Sequence, residues 1–143
     1  MSRMAVIYWS MTGNTEAMAN AIAEGAAGAG AEVDVKQVCD TTVDEALGYG
    51  LLALGCPAMG AEVLEEAEFE PFFTELEGRL GGKKVALFGS YDWGDGDWMR
   101  EWTSRMEAAG ATVAGGEGVI ANNTPDEEAL ENCRKLGETL AAV

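Results

Sequence analysis

Ala5-Val6-Ile7-Tyr8-Trp9 runs directly into Ser10-Met11-Thr12-Gly13-Asn14-Thr15, and Met18, Ile22 and Ala26 then recur at every fourth position. The first run is β-branched and aromatic, the composition of a buried strand. The spacing of four gives residues 14–29 the apolar stripe of a helix, and Gly28 and Gly30 end it. A buried strand, a polar turn and an amphipathic helix in succession make the opening of a βαβ unit.

The rest of the chain repeats that order. Glu32-Val33-Asp34-Val35-Lys36-Gln37-Val38 alternates polar with apolar and predicts an edge strand with one wet face. Leu51-Leu52-Ala53-Leu54-Gly55 is apolar throughout, which predicts a central strand; a loop at residues 56–62 leads to a helix at 69–80, with Pro71 in its first turn. Lys84-Val85-Ala86-Leu87-Phe88-Gly89 is the next strand, followed by a loop over 90–97 and a helix over 98–109 with Trp98, Trp102 and Met106 on one face. Residues 112–120 supply a fifth, weaker strand interrupted by Gly115, Gly116 and Gly118. Pro125-Asp126 opens the last helix, whose buried stripe is Leu130, Cys133, Leu136 and Leu140. Five strands alternating with helices require right-handed crossovers and a parallel sheet covered on both faces, hence one α/β domain over residues 1–143. In such folds ligands sit beyond the carboxyl ends of the strands.

Composition removes several functions. The 143 residues include nine Lys and Arg against twenty-five Asp and Glu, a formal charge of −16, and no histidine. Such a surface repels nucleic acid and anionic membranes, and the lack of histidine excludes Ser-His-Asp and Cys-His mechanisms and His-ligated metals. With 48% hydrophobic residues the chain is nonetheless a folding sequence and not an acidic tail. Its three cysteines, Cys39, Cys56 and Cys133, form no CxxC pair and read as buried or idle thiols of a reducing cytoplasm. Neither a signal-peptide pattern nor a membrane-length apolar run is present. The expected protein is cytoplasmic and has no catalytic or metal-binding residues.

Three loops carry the chemistry. Ser10, Met11, Thr12, Gly13, Asn14 and Thr15 set three hydroxyls and a glycine at a helix N-terminus, where free N–H groups and the helix dipole suit a phosphate; the same residues also suit ordinary N-capping. The loop has no lysine, so it is not a nucleoside-triphosphate loop. In the second loop, Cys56-Pro57-Ala58-Met59-Gly60-Ala61-Glu62, the Met59 thioether fits either core packing or the face of a planar aromatic ligand. In the third, Ser90-Tyr91-Asp92-Trp93-Gly94-Asp95-Gly96-Asp97, Trp93 is either a loop aromatic packed on its neighbours or the cover of a ligand. The acids there lack calcium-loop spacing.

Together these segments resemble the flavodoxins, specifically the short-chain clostridial type. The matching residues are Tyr8-Trp9-Ser10-x-Thr12-Gly13-Asn14-Thr15-Glu16, Gly55-Cys56-Pro57-Ala58-Met59-Gly60, Phe69-Glu70-Pro71-Phe72-Phe73 and Lys83-Lys84-Val85-x-Leu87-Phe88-Gly89-Ser90-Tyr91-x-Trp93-Gly94. The resemblance implies a doubly wound five-stranded sheet of order 2-1-3-4-5 with non-covalently bound FMN at the switch point. It further implies the phosphate in the loop of residues 10–15, Met59 on the inner face of the flavin and Trp93 on the outer. Glu62 would accept from flavin N3–H, and the Gly60 carbonyl would turn toward N5 once reduction protonates it. The remaining contacts fall on Pro57, Ala58, Ser90, Tyr91, Asp92 and Gly94. Two positions depart from the usual family pattern: Asp92, where relatives carry glycine, and Ala61, where they carry Asp, Ser or Asn.

The implied function is that of a monomeric, low-potential one-electron carrier without substrate turnover of its own. It would shuttle electrons between redox proteins, reductases and oxidoreductases with basic surfaces, that dock at the flavin edge. Carboxylates near the ring oppose an anionic reduced flavin, each by about 1.7 kcal/mol at ~10 Å and an effective dielectric of ~20; Glu62, Glu65, Glu66, Asp92, Asp95 and Asp97 are the candidates, and the same acids equally suit a solvated face that keeps the protein soluble. A response-regulator receiver would need acids at the strand ends where Trp9-Ser10, Cys56-Pro57 and Ser90-Tyr91 stand, and a low-molecular-weight phosphatase would need a cysteine loop after the first strand. A quinone reductase could share the flavin loops but needs further elements for its substrate.

Overall fold

Met4, Val6 and Tyr8 of the first strand pack on one face of the sheet, and Ala5 and Ile7 on the other. The side chains of a strand alternate, so a strand apolar on both faces must lie between two helical layers. The computed structural model describes residues 3–10, 13–59, 64–91, 96–116 and 118–142. Along it run β1 (Arg3–Tyr8), α1 (Asn14–Gly28), β2 (Glu32–Gln37), a 3₁₀ turn (Val38–Asp40), α2 (Val43–Leu47), β3 (Leu51–Gly55), α3 (Phe69–Glu77), β4 (Lys84–Tyr91), α4 (Asp97–Ala108), β5 (Thr112–Val113), β6 (Val119–Asn122) and α5 (Glu127–Ala141). All pairings are parallel, in the order β2-β1-β3-β4-β5, with β6 also paired to β4.

One layer, α1 and α5, covers Met4, Val6, Tyr8, Ala53, Ala86 and Phe88 with Met18, Ile22, Ala26, Cys133, Leu136 and Leu140. These two helices meet closely. A side chain on Gly25 would stand 2.0 Å from the Arg134 carbonyl oxygen, and one on Gly137 would stand 2.1 Å from that of Ile22. The other layer sets Phe69, Phe73, Trp98, Trp102 and Met106 against Ile7, Leu52, Leu54, Val85 and Leu87. Burial of each such side chain contributes roughly 1.5–3 kcal/mol. Arg105 ties α4 to α3, donating to Glu70 (2.8 and 3.0 Å) and Glu77 (3.0 and 3.1 Å) and lying over the Phe73 ring.

Five features differ from expectation. The fifth strand is two short strands, β5 and β6, because Gly115 and Gly116 take positive φ between them and break the extended run. Strand β2 is the edge, but neither face is well covered: Val35 is exposed and only Val33 and Lys36 are half-buried. Residues 38–47 form a 3₁₀ turn and the short helix α2, whose N-cap Thr42 accepts from the Glu45 N–H; five residues are too few for a helical period to register in sequence. The helix expected over 69–80 ends at Glu77. Leu130 is only half-buried in the α5 stripe, and Gly137 is buried there instead.

Candidate functional site at the carboxyl ends of the strands

Gly13 is the hinge between β1 and α1. Its φ of 93° is left-handed, a conformation that only glycine adopts without strain, and a Cβ built on it meets nothing within 4 Å. The turn therefore opens onto free space. An α-helix leaves its first N–H groups without internal acceptors. Here Ser10 Oγ takes two of them, Gly13 N–H at 3.1 Å and Glu16 N–H at 3.4 Å. Among the described residues no acceptor meets the N–H groups of Asn14 and Thr15. Capping and anion binding thus divide the same turn between them. Two open N–H donors at a helix N-terminus, beside open space and without a cation, fit one phosphate group.

Thr15, 1% exposed, and Ser90, 6% exposed, bring the first and third loops together, with hydroxyl oxygens 3.1 Å apart. The β3–β4 pairing continues past β3: Cys56 N–H donates to the Phe88 carbonyl at 3.1 Å and Ala58 N–H to that of Ser90 at 3.0 Å. Trp9 N–H donates to the Gly55 carbonyl at 3.0 Å. Ser10, Pro57, Ala58, Met59, Ser90 and Tyr91 accordingly share one rim of the sheet with the start of α1. Pro57, Ala58 and Met59 are half-buried there. Met11, Thr12, Gly60, Ala61, Glu62, Asp92, Trp93, Gly94 and Asp95 lie outside the described residues.

The acids behave differently from one another. Glu65 is buried, and its carboxylate accepts the N–H groups of Ala67 (2.8 Å), Glu68 (2.7 Å) and Phe69 (2.9 Å) at the start of α3. Burial alone would raise its pKa; the three backbone donors outweigh that and hold it below the usual carboxylate value. Its charge is committed to a helix cap, so it is not a free surface charge. Asp97 opens α4 and pairs with Arg100, while Glu66 is exposed. Cys56 is buried, and burial pushes its thiol far above the ordinary range; its Sγ accepts from Glu65 N–H at 3.3 Å. Cys133 is likewise pushed up to about 12 by burial. Neither is a reactive thiol, and among the described residues no His, Cys, Asp and Glu cluster could hold a metal ion.

Residues that sequence reasoning passed over also reach this rim. Asn122 ends β6 and donates its side-chain amide to the Tyr91 carbonyl at 3.3 Å, and Asn123 N–H donates to the same oxygen at 2.7 Å. Asn123 has φ 55°, a left-handed value that asparagine tolerates. The Asn-Asn pair after an apolar run was the available signal. The Trp9 indole N–H, at 3.1 Å from Glu68, links the end of β1 to the start of α3.

A family model described as Flavodoxin matches residues 6–137. The chain is 49% identical over 140 residues to a flavodoxin of Clostridium beijerinckii, covering 98% of this chain and 100% of that one. It is 51% identical over 136 residues to a flavodoxin of Megasphaera elsdenii, covering 95% and 96%. The solved structure of two-electron reduced Megasphaera elsdenii flavodoxin superposes with a TM-score of 0.88 at 48% identity, over 98% of this chain and 99% of that one. The chain therefore belongs to the flavodoxin family, whose members bind FMN and carry electrons to and from other redox proteins.

Proposed function

We propose that FMN lies along the carboxyl rim of β1, β3 and β4, with its phosphate at the start of α1 and its ring between the segments that follow β3 and β4. The observation that carries this reading is the pair of Asn14 and Thr15 N–H groups that no acceptor among the described residues meets, beside the open face of Gly13. Ser10, Gly13, Asn14 and Thr15 would hold the phosphate by neutral donors and the helix dipole, together with Met11 and Thr12. Pro57, Ala58 and Met59 would line one side of the ring with Gly60 and Glu62, and Ser90 and Tyr91 the other with Asp92, Trp93 and Gly94.

Bound FMN supplies the redox chemistry, taking up and giving out electrons one at a time. The chain's part is to bind it, to exclude water from one side and to bias its charge state. Its phosphate needs no counter-cation because the helix end supplies the compensating partial charge. Met59 offers a polarisable, water-excluding contact. The acids of the rim disfavour a build-up of negative charge on the ring and so favour a low potential.

Charge also supports a docking direction. Arg3, Lys83 and Lys84 stand at the starts of β1 and β4, and Arg79 follows α3, all at the rim opposite the proposed flavin. At the carboxyl rim the exposed acids Glu16 and Glu66 stand among the cations Lys36, near the end of β2, and Arg100, in the first turn of α4, and it is these acids that would suit redox partners with basic faces. Among the described residues no helix is long and apolar enough to cross a membrane. The reading is completed by a single-domain monomer working in the cytoplasm.

Purified protein stripped of flavin and titrated with FMN tests this. Stoichiometric uptake and two one-electron steps on stepwise reduction are expected, with no turnover of quinones by NADH or NADPH in the absence of a reductase. A protein that takes up no FMN overturns the reading, and direct quinone reduction by a nicotinamide replaces a carrier with an enzyme.

A further inference from the structure

Pro57, Ala58 and Met59, assigned above to one side of the flavin, follow Cys56 and precede Glu65 in the chain, and both of those residues have their polar atoms occupied. At Cys56 the N–H donates to Phe88, the carbonyl accepts the Trp98 indole N–H at 3.2 Å, and the buried Sγ lies 3.5 Å from the Pro57 carbonyl. At Glu65 the carboxylate takes three N–H groups of the α3 start, and the carbonyl accepts Glu70 N–H at 2.8 Å. The two residues are joined, for Glu65 N–H donates to Cys56 Sγ at 3.3 Å. From Glu68, within the turn that Glu65 caps, the chain is tied back to Trp9, the residue before Ser10.

Helix α3 does not require this arrangement to be so complete. A single exposed Ser or Asp commonly caps a helix, whereas here a buried glutamate three to four residues ahead holds three donors at once. Every donor it holds lies downstream of the proposed flavin segment, and the group that holds its own N–H lies upstream.

We propose that Glu65 is a positioning residue for FMN: by tying Cys56 to the start of α3 it fixes both ends of the segment that presents Met59, so that the ring meets a preorganised wall. Fixing the ends in advance removes ordering cost from the binding step. A Met59 held from a fixed Cys56 also keeps one contact with the ring in each redox state, which bears on the separation of the two one-electron potentials. This inference rests on the reading of Met59 as a ring contact.

The test compares Glu65→Gln, Cys56→Ala, Cys56→Ser and Met59→Ala with the unmodified protein. Three quantities are read: the FMN dissociation constant, the separation of the two midpoint potentials, and hydrogen exchange of the Met59, Leu64 and Phe69 amides in the flavin-free protein. Gln keeps the size of Glu65 but sets an NH₂ group against backbone donors. It is expected to weaken FMN binding by about tenfold, to change the separation of the potentials, and to speed exchange at those amides. Cys56→Ala, which keeps the cap but loses the joining bond, moves all three the same way by less and covers the case in which Glu65→Gln does not fold. Cys56→Ser keeps an acceptor and stays near the unmodified values. A lowered melting temperature with unchanged binding, potentials and exchange would make Glu65 a mere helix cap and overturn the proposal. If Met59→Ala shifts binding and potentials while Glu65→Gln and Cys56→Ala do not, only the positioning role falls. If Met59→Ala shifts neither, the underlying reading of the ring contact falls with it.

Discussion

Thr15 Oγ1 and Ser90 Oγ are 3.1 Å apart and buried, although the residues are 75 positions apart in the chain. The contact joins the first turn of α1 to the last residues of strand β4, and with them two of the three segments of the rim. Both hydroxyls are almost wholly shut off from solvent. Thr15→Val alone is expected to cost about 1–3 kcal/mol, because it leaves Ser90 buried and unpaired. Adding Ser90→Ala removes that orphan, so the double variant costs less than the two single ones together. Urea unfolding of the four flavin-free proteins measures the difference, and strictly additive costs would show that the two hydroxyls do not interact.

Gly13→Ala separates backbone strain from crowding. Nothing stands within 4 Å of a Cβ there, so any cost comes from φ +93° alone, about 1–2 kcal/mol for an L-residue in the left-handed region. An alanine that relieves the strain by turning Gly13 out of that region also redirects the first N–H groups of α1. Stability of the flavin-free protein is expected to fall by that amount and FMN affinity to fall as well. Unchanged affinity would mean that the turn does not shape the phosphate site.

Much of this was legible from local pattern. Met18, Ile22 and Ala26 announced α1, the apolar run at residues 51–55 announced β3, and the polar turn between β1 and α1 announced a helix N-terminus with open donors. Long-range partners were not legible. The bond between Thr15 and Ser90, the Trp98 indole on the Cys56 carbonyl and the capping of α3 by Glu65 each join residues through the fold, and no local period encodes such pairs. Glu65 read as one acid among several because composition does not distinguish a capping carboxylate from a solvated one. Residues 112–120 read as a single strand because the apolar residues at both ends outweighed Gly115 and Gly116, whose positive φ values divide it.

Gly89 is the opposite case to Gly13. Its conformation is ordinary, but a Cβ would lie 2.2 Å from the Cys56 carbonyl oxygen and 3.2 Å from the Trp98 ring. The obstacle is backbone, and it is the same oxygen that receives the Trp98 indole N–H. Gly89→Ala must therefore push the end of β3 from β4 or displace Trp98. An overpacking cost of about 3 kcal/mol is expected, with a change in tryptophan fluorescence as Nε1 loses its acceptor. Loss of stability with an unaltered emission spectrum would indicate that the strands, and not the indole, give way.

Arg105 and Glu70 give the fold an acid-sensitive clamp. The Arg105 hydrogen bonds hold the Glu70 carboxyl below its ordinary value. A group whose folded-state pKa is depressed stabilises the fold above its unfolded pKa, and that contribution disappears as pH falls through the folded-state value. The stability difference between the unmodified protein and Glu70→Gln is thus expected to be constant from pH 7 to about 5 and to close below about 4.5. Chemical denaturation across that range measures it. A difference that does not vary with pH would mean the clamp acts by packing on Phe73 alone.

If partners dock at the acidic rim, the position of a charge should matter more than its presence. Glu66 is exposed beside the segment that follows β3, whereas Glu107 is exposed near the end of α4, at the rim where Lys83 and Lys84 stand. Glu66→Gln and Glu107→Gln change the net charge equally, so a response to total charge alone would affect both variants alike. Steering toward a local acidic face would affect only the first. With a basic-surfaced reductase in low salt, Glu66→Gln is expected to slow association about two- to threefold, and Glu107→Gln to leave it unchanged. Near 1 M salt, where screening acts over about 3 Å, the difference should vanish. Stopped-flow reduction at several ionic strengths measures both rates; equal slowing by the two variants would place docking elsewhere on the molecule.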